Sequence, residues 1–417
     1  MKGRNIILGI DGVPFELMED LSKKEVMPNF KDLKNEFYFT RLKSSIPHIS
    51  SVSWSSIITG KNPGEHGIFG FTDLIKNTYS LSFPNFNSLK CKTFWQNDDS
   101  NKHILINVPS TYPAKKLNGI HIAGFVALEL EKAVYPKTVI PILEKLNYVI
   151  DVDSSLAHKQ SKDIFFDELF RVLEIRKKTF DIFWNHNKWH NFMAIITGSD
   201  RIGHFFWDIY ENRNDVHHHR FLDYFHEIDA IIGDFKNKLK ENDRLLILSD
   251  HGMELIKRNV NLNTYLEKEG LLYLTEKGKR YNRIEYKTKA FVLDPGRIYL
   301  NKKGLYPNGS VAKSEENEVI NTLKNILLDL KFKNQNVIKK VYEKEEIYAG
   351  KMIQNAPDLV LTENKGFNLK ASIGKDKIFE KEVTFSGKHN ENSFLLLNKN
   401  NINLKQPSVE NIVGLLG

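Results

Sequence analysis

Short, nearly continuous apolar runs alternate with longer stretches of helical periodicity along the first two thirds of this chain. Asn5 to Ile10 is the first such run, and it leads directly into Asp11-Gly12. A buried parallel strand that delivers an acidic residue to its carboxyl end has this pattern. Residues 14–37 then place Leu17, Leu21, Phe30, Leu33 and Phe37 at helical spacing, interrupted at Pro28. Tyr38 to Leu42, His103 to Val108, Gly119 to Phe125, Phe192 to Ile196 and Arg244 to Leu248 read as further strands. Residues 163–184 form a long amphipathic helix, and a second runs from about Phe221 to Leu239. Strands alternating with helices predict an α/β fold, a doubly wound and mostly parallel sheet covered on both faces.

The texture changes near Asn261. Residues 263–270 and 316–330 read as helices, and residues 289–301, 337–341 and 358–361 as strands, all in lysine-rich text. Residues 256–378 are therefore expected to form a smaller α+β subdomain. Residues 1–255 and 379–417 would then form the main core. With 417 residues the chain can bury a large core, and no internal repeat divides it.

Composition narrows the function classes. The net charge of +8 comes from scattered lysines, with no arginine-rich arm or zinc-finger spacing, so specific nucleic-acid binding is not expected. His217-His218-His219 sits in a polar segment and reads as a surface loop. Cys91 is the single cysteine, which excludes an internal disulfide framework. No stretch approaches the ~20 apolar residues of a membrane helix, and the first ten residues lack a signal-peptide core. These features predict a soluble, cytoplasmic protein.

The candidate chemistry gathers at predicted strand ends. Asp11 ends the first strand, Asp200 and His204 follow the Phe192 strand, and Asp250-His251 follow the Arg244 strand. His389 lies in a glycine-flanked loop near the C-terminus. A parallel sheet brings its carboxyl edges together, and mixed carboxylate and imidazole ligands suit zinc, with manganese as competitor. Before a short apolar helix stands a run of hydroxyl residues, Ser44, Ser45, Ser50, Ser51 and Ser53, closed by Thr59-Gly60. A hydroxyl there lies among free amides at the positive end of the helix, where it can meet a phosphate or simply cap the helix.

These residues, in this order, resemble the alkaline phosphatase superfamily and, within it, the type I phosphodiesterase/nucleotide pyrophosphatase branch. The matching text is Gly9-Ile10-Asp11-Gly12, Ser50 ahead of Thr59-Gly60, and Asn62-Pro63-Gly64-Glu65-His66-Gly67-Ile68. It continues through Asp200-Arg201-Ile202-Gly203-His204, Ser249-Asp250-His251-Gly252-Met253 and Gly387-Lys388-His389. The resemblance implies two divalent metal sites, of Zn²⁺ or Mn²⁺. Asp200, His204 and His389 would hold one; Asp11, Asp250, His251 and the Ser50 oxygen would hold the other. It also implies that Ser50 is the nucleophile, with Ser51 as the one-residue alternative; Ser51 is otherwise expected to contact substrate.

The expected activity is hydrolysis of phosphodiester or pyrophosphate bonds through a phosphoryl-serine, on a small anionic phosphate ester such as a nucleotide. A phosphomonoesterase or phosphomutase on the same scaffold is the alternative within enzymes, and a non-catalytic binding protein retaining the fold is the alternative outside them. A sulfatase is not expected, because Ser50-Ser51-Val52-Ser53-Trp54 lacks the required Cys/Ser-x-Pro-x-Arg text.

Overall fold

A computed structural model describes residues 3–186, 188–399 and 404–416. The apolar runs form an eight-stranded sheet. Its strands are β1 (Asn5–Ile10), β2 (Tyr38–Lys43), β3 (His103–Val108), β4 (Gly119–Ala123), β5 (Val134–Tyr135), β6 (Asn191–Ile196), β7 (Arg244–Leu248) and β8 (Asn392–Leu397). The spatial order is β2-β8-β7-β1-β6-β3-β4-β5. The five strands from β7 to β4 run parallel, while β8 and β5 run antiparallel to them at the two sides, and β2, antiparallel to β8, returns to the common direction. β1 is flanked by β6 and β7, so the carboxyl ends of three chemistry-bearing strands lie side by side.

Burial on both faces explains why these strands read as continuous apolar text. Ile7, Leu105, Met193, Leu246 and Leu248 face a layer that includes Trp54, Ile57 and Ile58 from α3 (Ser50–Thr59). α1 (Phe15–Lys23) and α2 (Pro28–Glu36) precede it, with Pro28 opening α2 at its first position. On the opposite face, Phe192 packs against Trp184 of α4 (Lys162–Trp184) and Phe235 of α6 (His218–Asn237). Between those helices runs α5 (Gly198–Glu211). α4 buries Phe165, Phe166, Leu169, Val172, Leu173, Phe180 and Phe183 along one stripe. Each such side chain contributes about 1.5–3 kcal/mol on burial.

The chain separates into two compact units, Met1–Lys61, Asn85–Glu254 and Thr384–Gly417 in one, Asn62–Pro84 and Leu255–Val383 in the other. The second unit holds a four-stranded antiparallel sheet from Ala290–Leu293, Arg297–Leu300, Ile338–Glu343 and Leu359–Glu363. A helix over Glu316–Asp329 buries Val319, Leu323 and Leu327 in that unit's core. Residues 62–84 belong here although their sequence reads with the main core. Tyr79 is buried among Phe291 and Tyr306, and its hydroxyl donates to Asn301 Oδ1 at 2.7 Å. The Arg297 guanidinium also donates to Thr72 O at 2.8 Å, which fixes the segment by side-chain contacts that periodicity does not reveal.

Two local expectations change. His218 and His219 begin α6 rather than a loop, and His218 Nδ1 donates to Ile209 O at 2.9 Å. Gly387–Asn390 forms a short strand paired with Gly252–Leu255, so His389 sits on regular backbone. Among the described residues no helix is long and apolar enough to cross a membrane.

Candidate active site

The carboxyl edge of the sheet gathers Asp11, Ser50, Asp200, His204, Asp250, His251 and His389. Asp11 follows β1 directly, and the chain turns at Gly12 with φ +72°, a left-handed conformation that suits glycine. A Cβ at position 12 would lie 2.8 Å from Asp200 Oδ1, so a glycine there also allows the two segments to approach closely. Asp200 and His204 occupy one face of α5 at i and i+4. Asp250 and His251 leave the end of β7, where Ser249 Oγ donates to His251 O at 2.7 Å and accepts from Val13 N–H at 2.9 Å.

Ser50 is the first residue of α3, and Ile49 occupies the N-cap with no side-chain capping bond. The hydroxyl is therefore free of a capping role. Ser50 Oγ lies 2.8 Å from His251 Nε2 and 3.5 Å from Asp11 Oδ1. Ser51 Oγ is buried without a hydrogen-bond partner. The turn ahead of the helix is tied together by Ser45 Oγ to Ser53 Oγ at 2.7 Å and by His48 Nδ1 to Ser45 O at 2.7 Å.

The three imidazoles share one orientation. His204 Nδ1 donates to Gly387 O at 2.9 Å, His251 Nδ1 to Gly252 O at 3.0 Å, and His389 Nδ1 to His48 O at 2.9 Å. A carbonyl only accepts, so each Nδ1 carries a hydrogen and each Nε2 points inward. His204 Nε2 and His389 Nε2 lie 2.9 Å apart, and Asp200 Oδ1 lies 3.4 and 3.2 Å from them. His251 Nε2 lies 3.3 Å from Asp250 Oδ2 and 3.6 Å from Asp11 Oδ1. Asp200 Oδ1 and Asp250 Oδ2 are buried without hydrogen-bond partners.

The electrostatics follow from this crowding. Burial raises Asp11 well above the usual carboxylate range, with Asp250 and Asp200 adding to the rise. Burial also pushes Asp250 up to about 7. For Asp200, burial acts upward, but His204, His389 and Arg201 outweigh it and hold the carboxyl well below its ordinary value. Burial depresses His204 to about 4 and His251 well below the usual imidazole range. Converging lone pairs and unpartnered carboxylate oxygens repel one another unless a cation sits among them. The donor set fits divalent metal, with Asp200, His251 and His389 forming one candidate group and Asp11, Asp250 and His251 another.

The type I phosphodiesterase/nucleotide pyrophosphatase family model matches residues 5–391. The chain belongs to this family. It is thus an enzyme of the phosphoester hydrolase class. No curated protein matches the chain by sequence. Among solved structures, phosphonoacetate hydrolase from Sinorhizobium meliloti 1021, in complex with phosphonoacetate, is 13% identical with a TM-score of 0.63. That alignment covers 99% of this chain and 94% of the other. Murine ectonucleotide pyrophosphatase/phosphodiesterase 5, an inactive variant in complex with AMP, is 14% identical with a TM-score of 0.56, covering 100% and 94%. The human counterpart is 12% identical with a TM-score of 0.55, covering 99% and 93%. These likenesses show the alkaline phosphatase-like fold of this phosphodiesterase-family chain.

Sequence reading passed over four contributors to the site. Trp54 Nε1 donates to Asp11 Oδ2 at 2.9 Å, although Trp54 reads as one apolar residue of a helix. Its position one turn after Ser50 was the available signal. The His48 carbonyl and Asp151 had no comparable signal, because they stand in no motif, and the ionic role of Arg201 depends on Asp151, although Arg201 itself lies inside the Asp200–His204 motif.

Proposed function

We propose that this chain is a two-metal hydrolase that cleaves phosphodiester or pyrophosphate bonds through a phosphoryl group carried on Ser50. The observation that supports this most strongly is the position of Ser50 Oγ, 2.8 Å from His251 Nε2, at the rim of a cluster of three carboxylates and three inward imidazole nitrogens. Asp200, His204 and His389 would hold one divalent cation, and Asp11, Asp250 and His251 would hold the other. When bound, the two cations supply Lewis acidity at the attacking and leaving oxygens of an in-line displacement at phosphorus.

The protein groups do the rest. The first amides of α3 meet a non-bridging phosphoryl oxygen at the positive end of the helix, and Ser51 Oγ adds a contact. With the single Nε2 lone pair of His251 committed to the cation, the Ser50 hydroxyl proton passes to the Asp11 carboxylate, whose Oδ1 lies 3.5 Å away, as Oγ attacks. Ser50 Oγ then bonds to phosphorus as the ester oxygen leaves, and water returns the phosphoryl group to solution. The substrate is a small anionic phosphate ester such as a nucleotide, and zinc is the metal that best suits this mixed nitrogen and oxygen donor set, with manganese its competitor.

The test is hydrolysis of a bis-nitrophenyl phosphate diester beside the nitrophenyl monoester, each with zinc or manganese, in wild type and Ser50→Ala. The proposal expects metal-dependent turnover with the diester preferred and no turnover in Ser50→Ala. Preference for the monoester would move the reading to a phosphomonoesterase. Activity retained in Ser50→Ala but lost in Ser51→Ala would shift the nucleophile by one residue.

A further inference from the structure

Behind the cluster lies an ion-pair chain that joins Arg201 of the Asp200–His204 motif to Asp151, which stands in no motif. Arg201 Nη1 donates to Asp200 Oδ2 at 3.1 Å, and Arg201 Nε and Nη2 both donate to Asp151 Oδ2, at 3.0 and 2.6 Å. The Phe125 ring lies 4.3 Å from the guanidinium carbon, so the group is held by a ring face as well as two carboxylates. Asp151 stands in a segment without helix or strand. Thr197 Oγ1 donates to its other oxygen at 3.2 Å. Arg176, almost wholly buried in α4, donates from Nη2 to Val149 O at 2.9 Å and Ile150 O at 3.0 Å, which pins the segment from behind. The result is that Asp200 Oδ2 is occupied by Arg201 while Oδ1 faces the imidazoles without a hydrogen bond.

We infer that Arg201, anchored by Asp151, is a positioning residue that fixes Asp200 as a one-oxygen ligand with Oδ1 turned toward His204 and His389. This inference rests on the two-metal reading above. Its sign separates it from simple electrostatics. Deleting a cation beside a metal site relieves repulsion and should tighten metal binding. Deleting a positioning residue frees Asp200 and should weaken it, by about 10–100-fold for an outer partner of this kind.

The experiment is zinc titration against a competing chelator for wild type, Arg201→Met, Arg201→Lys, Asp200→Ala and the Asp200→Ala/Arg201→Met double variant, with thermal melts of each metal-free protein. Expected are two sites in wild type, one in Asp200→Ala, and one site weakened at least about tenfold in Arg201→Met. Arg201→Lys keeps the charge but loses the fork, so it should show a smaller loss, and it stands in if the methionine variant does not fold. The double variant should bind its remaining metal as tightly as Asp200→Ala alone. Unchanged or tighter zinc in both Arg201 variants, or an equal loss in the Asp200→Ala background, would overturn the inference while leaving the two-metal reading intact. Wild type binding no zinc would overturn both.

Discussion

At the amino ends of β1, β6 and β3, Asn5 Nδ2 donates to Asn191 Oδ1 at 2.7 Å, Asn191 Nδ2 to His103 Nδ1 at 3.0 Å, and His103 Nε2 to Asp98 O at 2.7 Å. Arg4 pairs with Asp243 ahead of β7. At the carboxyl ends of the same strands, three carboxylates and three imidazole nitrogens converge, and two of the carboxylate oxygens have no hydrogen-bond partner. Both ends are buried polar chemistry on one sheet. The first set of groups is complementary to itself and holds the strands in register. The second is complementary to a ligand, because buried like charges destabilise the fold until something offsets them. An active site is recognisable here by that lack of self-complementarity.

The sharpest break between the two ends should come from Ser50→Ala. Its turnover should fall at least about 10³-fold, as for loss of a nucleophile, while the thermal midpoint stays close to wild type. Steady-state hydrolysis and a melting curve on the same sample check both halves. A variant that lost stability but kept activity would place Ser50 among the self-satisfied groups instead.

A pH series sharpens the contrast next. Asp250 keeps its proton in the metal-free folded state up to about 7, whereas an unfolded aspartate releases it near 4. At this residue the folded form therefore binds more protons between those values, so Asp250's own contribution to stability should fall as pH rises through that window, opposite in sign to the contribution of the depressed His204 and His251. Denaturant melts in chelator at stepped pH, on wild type beside Asp250→Asn, isolate that contribution: wild type should lose stability relative to Asp250→Asn as pH rises, and added divalent cation should offset the loss. Identical pH profiles for metal-free wild type and Asp250→Asn would contradict the crowding of this cluster.

Trp54→Phe removes the indole donor to Asp11 and keeps the ring that packs among Ile57 and Ile58. Loss of such an outer hydrogen bond should weaken metal affinity about tenfold with little change in stability. At the other end of the strands, Asn191→Ala should lower stability by about 1–3 kcal/mol, since it leaves buried partners unpaired. Its turnover should match wild type.

The sheet was legible because β1, β6 and β7 are buried on both faces and must be apolar throughout, which leaves Asp11 and Asp250 conspicuous at their ends. Helical spacing made Asp200 and His204 legible as a pair on one face. What stayed hidden depended on contacts between distant segments. Residues 62–84 join the smaller unit through Tyr79 and Arg297, and no local pattern announces either contact. Asp151 lies in text with no periodicity, and its partner Arg201 is separated from it by the whole of α4 and β6. His389 read as a loop residue because a four-residue strand flanked by glycine carries too short a pattern to identify.

Metal content against catalysis tests the central claim most directly. Elemental analysis of purified wild type and Asp250→Ala, beside diester hydrolysis by each, should give two divalent cations per chain in wild type. In Asp250→Ala it should give a loss of bound metal together with activity. Wild type without bound metal, hydrolysing no differently from Asp250→Ala, would contradict it.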